Sequence, residues 1–267
     1  MQILQPAIYL GNNRKTYFAN GLWIGLTEYQ KENLPNFSWH AHANDHISLL
    51  LKGGTVIKST HAQQVGTSGD VIFFYSDEPH QNSHTPAGSK NLNIEFEDEF
   101  LRTFNLQIGG LKQSLTRINS KFILLKILKE LQSADSYSSE AITLLVLGLF
   151  SDHKSPKTNY VPEWIKTARE YLNDNSSRQI SLVELSHLTG AHPVTISKYF
   201  PKHFSCTLGE YMRRLKAEKA LNLLQNHEVS LGNVAYECGF ADQSHFTRTF
   251  KNLTGILPGE YAKLIKS

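Results

Sequence analysis

Cysteine is almost absent from this chain. Its 267 residues contain two, Cys206 and Cys238, with no C-x-x-C spacing. That argues against a disulfide scaffold and a cysteine-based zinc site, and it suits a reducing cytoplasm. Long apolar runs are missing as well. The longest mostly apolar stretch, residues 141–150, is about half of what a membrane-spanning helix needs. The first basic residues, Arg14 and Lys15, come late and no apolar region follows them, so nothing resembles a signal peptide. By elimination the expected location is cytoplasmic, with no membrane association. No nucleophile motif, phosphate-binding glycine loop or spaced carboxylate pair occurs, which counts against catalysis. A strong charge bias is lacking too. Residues 161–267 hold 13 Lys and Arg against 10 Asp and Glu, and residues 1–160 hold 14 of each. The small basic surplus permits a nucleic-acid partner without requiring one.

What is present is a globular composition, 40% apolar and 19% charged, whose texture changes along the chain. From about residue 7 to 97 apolar residues come in short runs such as Leu22-Trp23-Ile24, Ile47–Leu51 and Val71–Tyr75. Turn signals separate them, among them Asn20-Gly21, Gly53-Gly54 and Ser68-Gly69-Asp70. Many short strands at this spacing predict an all-β sandwich or barrel. From about residue 98 the period becomes helical, with Phe122, Leu125, Leu128 and Leu131 on one stripe and a second apolar helix over about 140–150. Residues 151–160 (SDHKSPKTNY) are polar and read as a linker.

Beyond the linker nearly everything is helical. Pro162 opens a helix carrying Ile165, Ala168 and Leu172. Ser181 and Glu184 make a capping-box pattern before a helix ending at Gly190, and Pro193 starts the next, with Val194, Ile196 and Phe200 as candidate core. Helix, tight turn and helix is the helix-turn-helix layout. It returns with Val229, Leu231, Val234 and Ala235, the turn Gly239-Phe240, and a helix capped by Asp242 that carries Phe246 and Phe250. A long helix over about 208–225 joins the two units. An ordinary α-helical bundle would explain each of these residues singly, but not the recurrence of the layout.

At this point the residues resemble the DNA-binding domain of the AraC/XylS family of bacterial regulators. The family signature A-x-x-x-G-F-x-D-x-S-x-F-x-R-x-F-K-x-x-x-G-x-x-P-x-x-Y is met from Ala235 to Tyr261, and its A-x-x-L-L by Ala220, Leu223 and Leu224. The resemblance covers about 100 residues. It implies a sequence-specific transcription regulator whose partner is double-stranded DNA; an activator is the working expectation, although the sequence does not tell whether transcription rises or falls. It implies contacts from Val194, Thr195, Ser197 and Lys198 in the first recognition helix, and from Gln243, Ser244, His245, Thr247 and Arg248 in the second. A solvated helix face is the competing reading of each. The chain departs from the family pattern at His192 (usually Ser), Pro201 (usually Lys), Ser205 (usually Gly) and Ala262 (commonly Arg). Pro201 should end or kink its helix early, since it lacks an N–H and clashes with the carbonyl four residues back.

The N-terminal half resembles, more weakly, the cupin-like β-barrel that precedes the DNA-binding part in many such regulators. His40-x-His42, His46 and Gly53 follow the first cupin motif with His where Glu is usual, and Gly69-Asp70 with Pro79-His80 resembles the second. The expected fold is therefore α+β: a cupin-like barrel with trailing helices over residues 1–150, serving effector binding and dimerisation, a linker over 151–160, and an all-α domain with two helix-turn-helix units over 161–267. An effector pocket is expected among Trp23, Phe37, Trp39, His40, His42, His46, Phe74 and His80, though each aromatic is also explained as core. The four histidines are expected to converge and to hold no metal. Only Asp45 and Asp70 are near in sequence to anchor their second nitrogens, and with no Glu ligand the ion's charge would stay uncompensated. No cofactor and no catalytic residue are expected. The helices over about 114–150 are expected to form a homodimer interface, or else to pack on their own sheet. The alternatives are a metal-dependent cupin enzyme or metal sensor fused to a DNA-binding module, and a purely architectural DNA binder. Neither the effector nor the operator is legible.

Overall fold

The computed structural model describes residues 1–30, 38–115, 118–151, 161–226 and 229–266. Chain contacts divide it into two compact units, residues 1–151 with 260–267, and residues 152–259. Among the described residues no helix is long and apolar enough to cross a membrane.

Among the described residues ten strands open the chain: β1 (Gln2–Leu4), β2 (Asn12–Ala19), β3 (Leu22–Tyr29), β4 (His40–His42), β5 (Asp45–Lys52), β6 (Gly54–Ser59), β7 (Gln63–Thr67), β8 (Val71–Phe74), β9 (His80–Ser83) and β10 (Ser89–Phe96). They form two five-stranded sheets, ordered β1-β4-β9-β6-β7 and β2-β3-β10-β5-β8. Neither sheet closes on itself, and each keeps two edge strands. The expected cupin-like barrel is therefore absent. The reason it looked plausible is physical. After β4 the chain passes repeatedly from one sheet to the other, so alternate side chains point into a shared interior, and that pattern is the same in an open sandwich and in a closed barrel.

The second sheet has two unlike faces. Ile24, Ile47, Leu49, Leu51, Leu92, Ile94 and Phe96 line one and are almost fully buried. This face meets the trailing helices, with Phe96 edge-on to Phe150 at 5.5 Å. These helices are α1 (Asp98–Thr103), α2 (Leu111–Leu115), α3 (Ile118–Ser133) and α4 (Ser138–Ser151). The stripe Phe122, Leu125, Leu128 and Leu131 is buried throughout. The opposite face carries His46, Ser48, Asn93 and Glu95, all buried. Ser48 Oγ donates to Asn93 Oδ1 (2.6 Å), and Asn93 Nδ2 donates to Thr27 Oγ1 (2.8 Å), which satisfies the polar groups that burial would otherwise penalise.

The remaining helices are α5 (Glu163–Asp174), α6 (Leu182–Thr189), α7 (Pro193–Phe204), α8 (Leu208–Leu223), α9 (Leu231–Glu237), α10 (Gln243–Thr254) and α11 (Pro258–Lys266). The α6–α7 and α9–α10 pairs are the two helix-turn-helix units. Residues 152–160 of the linker expected at 151–160 lie outside the described residues. Two local expectations change. Helix α7 runs three residues past Pro201. Only the bond to the carbonyl of Ser197 is forfeited, on an exposed face, while Phe200 and Phe204 stack at 4.0 Å on the other. The reciprocal capping box is found not at Ser181 but at Thr207–Glu210. Ser181 does accept from the Glu184 N–H (3.1 Å), but the Glu184 carboxylate turns to Tyr171 and Arg178.

Candidate functional site

The recognition helices α7 and α10 are each fixed by a cap at one end and an apolar stripe along one side. Asp242 Oδ1 accepts from the His245 N–H at 2.7 Å. At α7 the corresponding cap is the His192 ring, which accepts from the Val194 N–H at a longer 3.3 Å. Ile196 and Phe200 anchor α7 in the core, and Phe246 and Phe250 anchor α10; all four are fully buried. The helical period then sends the other face outward. Val194, Ser197, Lys198, Gln243, Ser244 and Arg248 are exposed, and Thr195, His245 and Thr247 are half-buried. His245 lies edge-on to Phe240 at 5.5 Å, so its ring is partly taken up by packing. Sequence reasoning passed over Tyr199, which is exposed on α7 next to Lys198. The ammonium groups of Lys202 and Lys198 stand 4.7 and 5.6 Å from its ring. An aromatic between two lysines was the available signal.

In the N-terminal unit β4 and β9 pair with His40 opposite His80, and His42 lies on the same face as His40. One ring nitrogen from each of His40, His42 and His80 lies within 4.8 Å of the others, and all three residues are buried. His46, on the facing sheet, approaches His42 at 4.2 Å between ring centroids. His40 Nδ1 bonds the Ser38 carbonyl (2.9 Å) and His80 Nδ1 the Glu78 carbonyl (3.1 Å). A carbonyl only accepts, so in both rings Nδ1 carries the proton and Nε2 keeps a free lone pair. Burial, reinforced by the neighbouring imidazoles, pushes His42 down to about 3. Burial likewise pulls His80 down to about 4 and lowers His40 and His46. The cluster is therefore neutral at pH 7. Asp45 and Asp70 do not serve it. Asp45 accepts from the Ser76 N–H and Asp70 from the Thr67 N–H and hydroxyl.

The aromatic candidates separate. Phe74 stacks on His46 at 4.6 Å and lines the same cavity as the histidines. Trp23 is buried and stacks on Tyr9. Trp39 is 40% exposed and does not line the cavity. Phe37 lies outside the described residues. Two residues were missed, Tyr9 and Glu95. The Glu95 carboxylate, 2% exposed, accepts from the Tyr9 hydroxyl (3.3 Å), the Ala7 N–H (3.1 Å) and Asn44 Nδ2 (2.9 Å). Burial raises its pKa, opposed by those three bonds. Strand alternation in Glu95–Phe96 could have found Glu95. Nothing in the sequence marks Tyr9, which arrives from a loop.

Two family models match the chain: an AraC-like ligand binding domain over residues 26–150 and a helix-turn-helix domain over residues 185–264. The HTH-type transcriptional activator RhaR of Mannheimia succiniciproducens is 22% identical over 88% of this chain and 91% of its own length. RhaS of the same organism, also an HTH-type transcriptional activator, is 23% identical over 84% and 88%. An uncharacterized HTH-type transcriptional regulator of Escherichia coli, YpdC, is 32% identical over 34% of this chain and 32% of its own. These relatives are transcription regulators, not enzymes, in keeping with a non-catalytic chain. Two helix-turn-helix units, the second carrying the full signature, the two domain models and relatives matching along most of the length together support a sequence-specific DNA-binding transcription regulator of the AraC type.

Proposed function

We propose that the chain is an effector-responsive regulator, probing DNA with the exposed faces of α7 and α10 and receiving its input in the N-terminal sandwich. The observation that carries the reading is the pair of capped recognition helices, each anchored by two buried residues and presenting polar or basic groups outward. Such helices fit the major groove, where base pairs display distinct donor and acceptor patterns, and two of them in one chain suit an asymmetric site spanning successive grooves. Arg248 is suited to a bidentate contact with guanine or to a phosphate, Gln243 to adenine, and Lys198 to a phosphate. The match to a ligand-binding domain model supports an input role for the N-terminal unit. The activator relatives support activation as its output. Homodimerisation through α3 and α4 is part of the reading, supported by Leu144, an apolar residue 69% exposed on α4. A cytoplasmic location completes it. Genome-wide binding-site mapping of the full chain, with and without candidate inputs, tests the proposal. A footprint indifferent to sequence would favour an architectural DNA binder instead.

A further inference from the structure

The interior between the two sheets closes around the histidines to leave a cavity of about 20 Å³, lined by His40, His42, His46, Phe74 and His80 among others. That space admits about one water or an ion. A metabolite pocket is larger by more than tenfold, roughly 300 Å³ or above. The smallness of the cavity and the chemistry of its walls agree. Three buried imidazoles from two adjacent strands present nitrogens within 4.8 Å of one another. In a tetrahedral site with bonds of about 2.0–2.1 Å, neighbouring ligand atoms stand about 3.4 Å apart, so ring rotations of about an ångström close the set. The expectation of an empty site rests on two grounds, the missing Glu ligand and the want of groups to anchor the second ring nitrogens. Backbone carbonyls of Ser38 and Glu78 supply them, fixing the tautomer that leaves Nε2 of His40 and His80 available.

We infer that His40, His42 and His80 form a site for one divalent first-row transition metal ion, held between the sheets with a fourth position left for water or an anionic oxygen donor. Neutral imidazoles without a thiolate suit zinc, nickel, copper or ferrous iron rather than magnesium or calcium. Three neutral ligands leave the ion's charge uncompensated, which favours an anionic fourth ligand. The site stands independently of the regulatory reading; that the ion is the domain's input rests on that reading.

The test uses the full chain stripped with a chelator. It is titrated with Zn²⁺ against a chromophoric competitor, and with Co²⁺ while the visible d–d bands are followed. Expected are about one equivalent of Zn²⁺, Co²⁺ bands of tetrahedral intensity, and a melting temperature that rises with Zn²⁺ as ligation of the folded state requires. His40→Ala, His42→Ala and His80→Ala should each lose this uptake, whereas His61→Ala, an exposed histidine elsewhere, should keep it. The melting shift of the unaltered chain stands in where a variant fails to fold. No uptake and no melting shift by the folded chain overturns the site, and so does uptake unchanged in all three variants. Uptake that depends on the three histidines but leaves operator affinity unchanged establishes the site and removes the ion as the regulatory input.

Discussion

The two helix-turn-helix units follow one plan and are locked by different means. In the first, the chain leaves α6 through Gly190 at φ 69°, with one bond from its N–H to the Ser186 carbonyl. A methyl group placed there would meet nothing within 4 Å. In the second, Gly239 at φ 73° donates to Tyr236 and Phe240 donates to Ala235, the paired bonds of a Schellman turn. A methyl group at Gly239 would collide with the Ser177 carbonyl oxygen. Lys216 and Lys219 also hold this turn, donating to the carbonyls of Gly239 and Glu237. Downstream the contrast repeats. Helix α10 ends at Gly255 in the left-handed region, while α7 ends there at Ser205, φ 54°. A shared backbone trace thus carries glycine for two reasons, conformation alone in the first unit and conformation plus close approach in the second.

Substitutions can break or sharpen that contrast. The largest effect is expected from Gly239→Ala, which combines left-handed strain with a clash against backbone and should cost roughly 2–5 kcal/mol. Gly190→Ala, with strain alone, should cost about 1–2 kcal/mol. Equal midpoints in chemical denaturation would dissolve the difference. Next is Arg248→Ala, expected to weaken operator binding by roughly 1–3 kcal/mol if the second unit reads bases. Lys198→Ala should instead weaken binding across sequences and lower the salt slope by about one. Gel-shift titrations at several salt concentrations separate the two. Removing the tighter cap, Asp242→Ala, should destabilise by about 1 kcal/mol, and His192→Ala by only a few tenths. Both are read from thermal melts. One change is a gain: Ser205→Gly should stabilise by roughly 0.5–1 kcal/mol by relieving the left-handed residue. An unchanged melt would mean that Ser205 carries no strain.

Legibility followed how local each signal was. The caps at Ser181 and Asp242, the turns at Gly190 and Gly239, and the stripe Phe246–Phe250 depend on residues within a few positions of one another, and each could be read directly. Pro201 does not end its helix early, and the one bond it forfeits lies on an exposed face. The histidine spacing in β4 was legible. The anchors Ser38 and Glu78 were not, because they act through backbone carbonyls whose side-chain identity is irrelevant.

By itself the sequence determined the helical half, the apolar periods of the strands and the outward faces of α7 and α10, because such signals lie within one or two turns or a single strand. Only the tertiary structure decided that the sheets stay open, that Ser177 crowds Gly239, and that Glu95 and Tyr9 meet. It also decided that the interior around His40, His42 and His80 shrinks to the size of an ion. Those outcomes depend on segments tens of residues apart meeting in space, and neither the period of a strand nor the spacing of a motif specifies which partner it will meet.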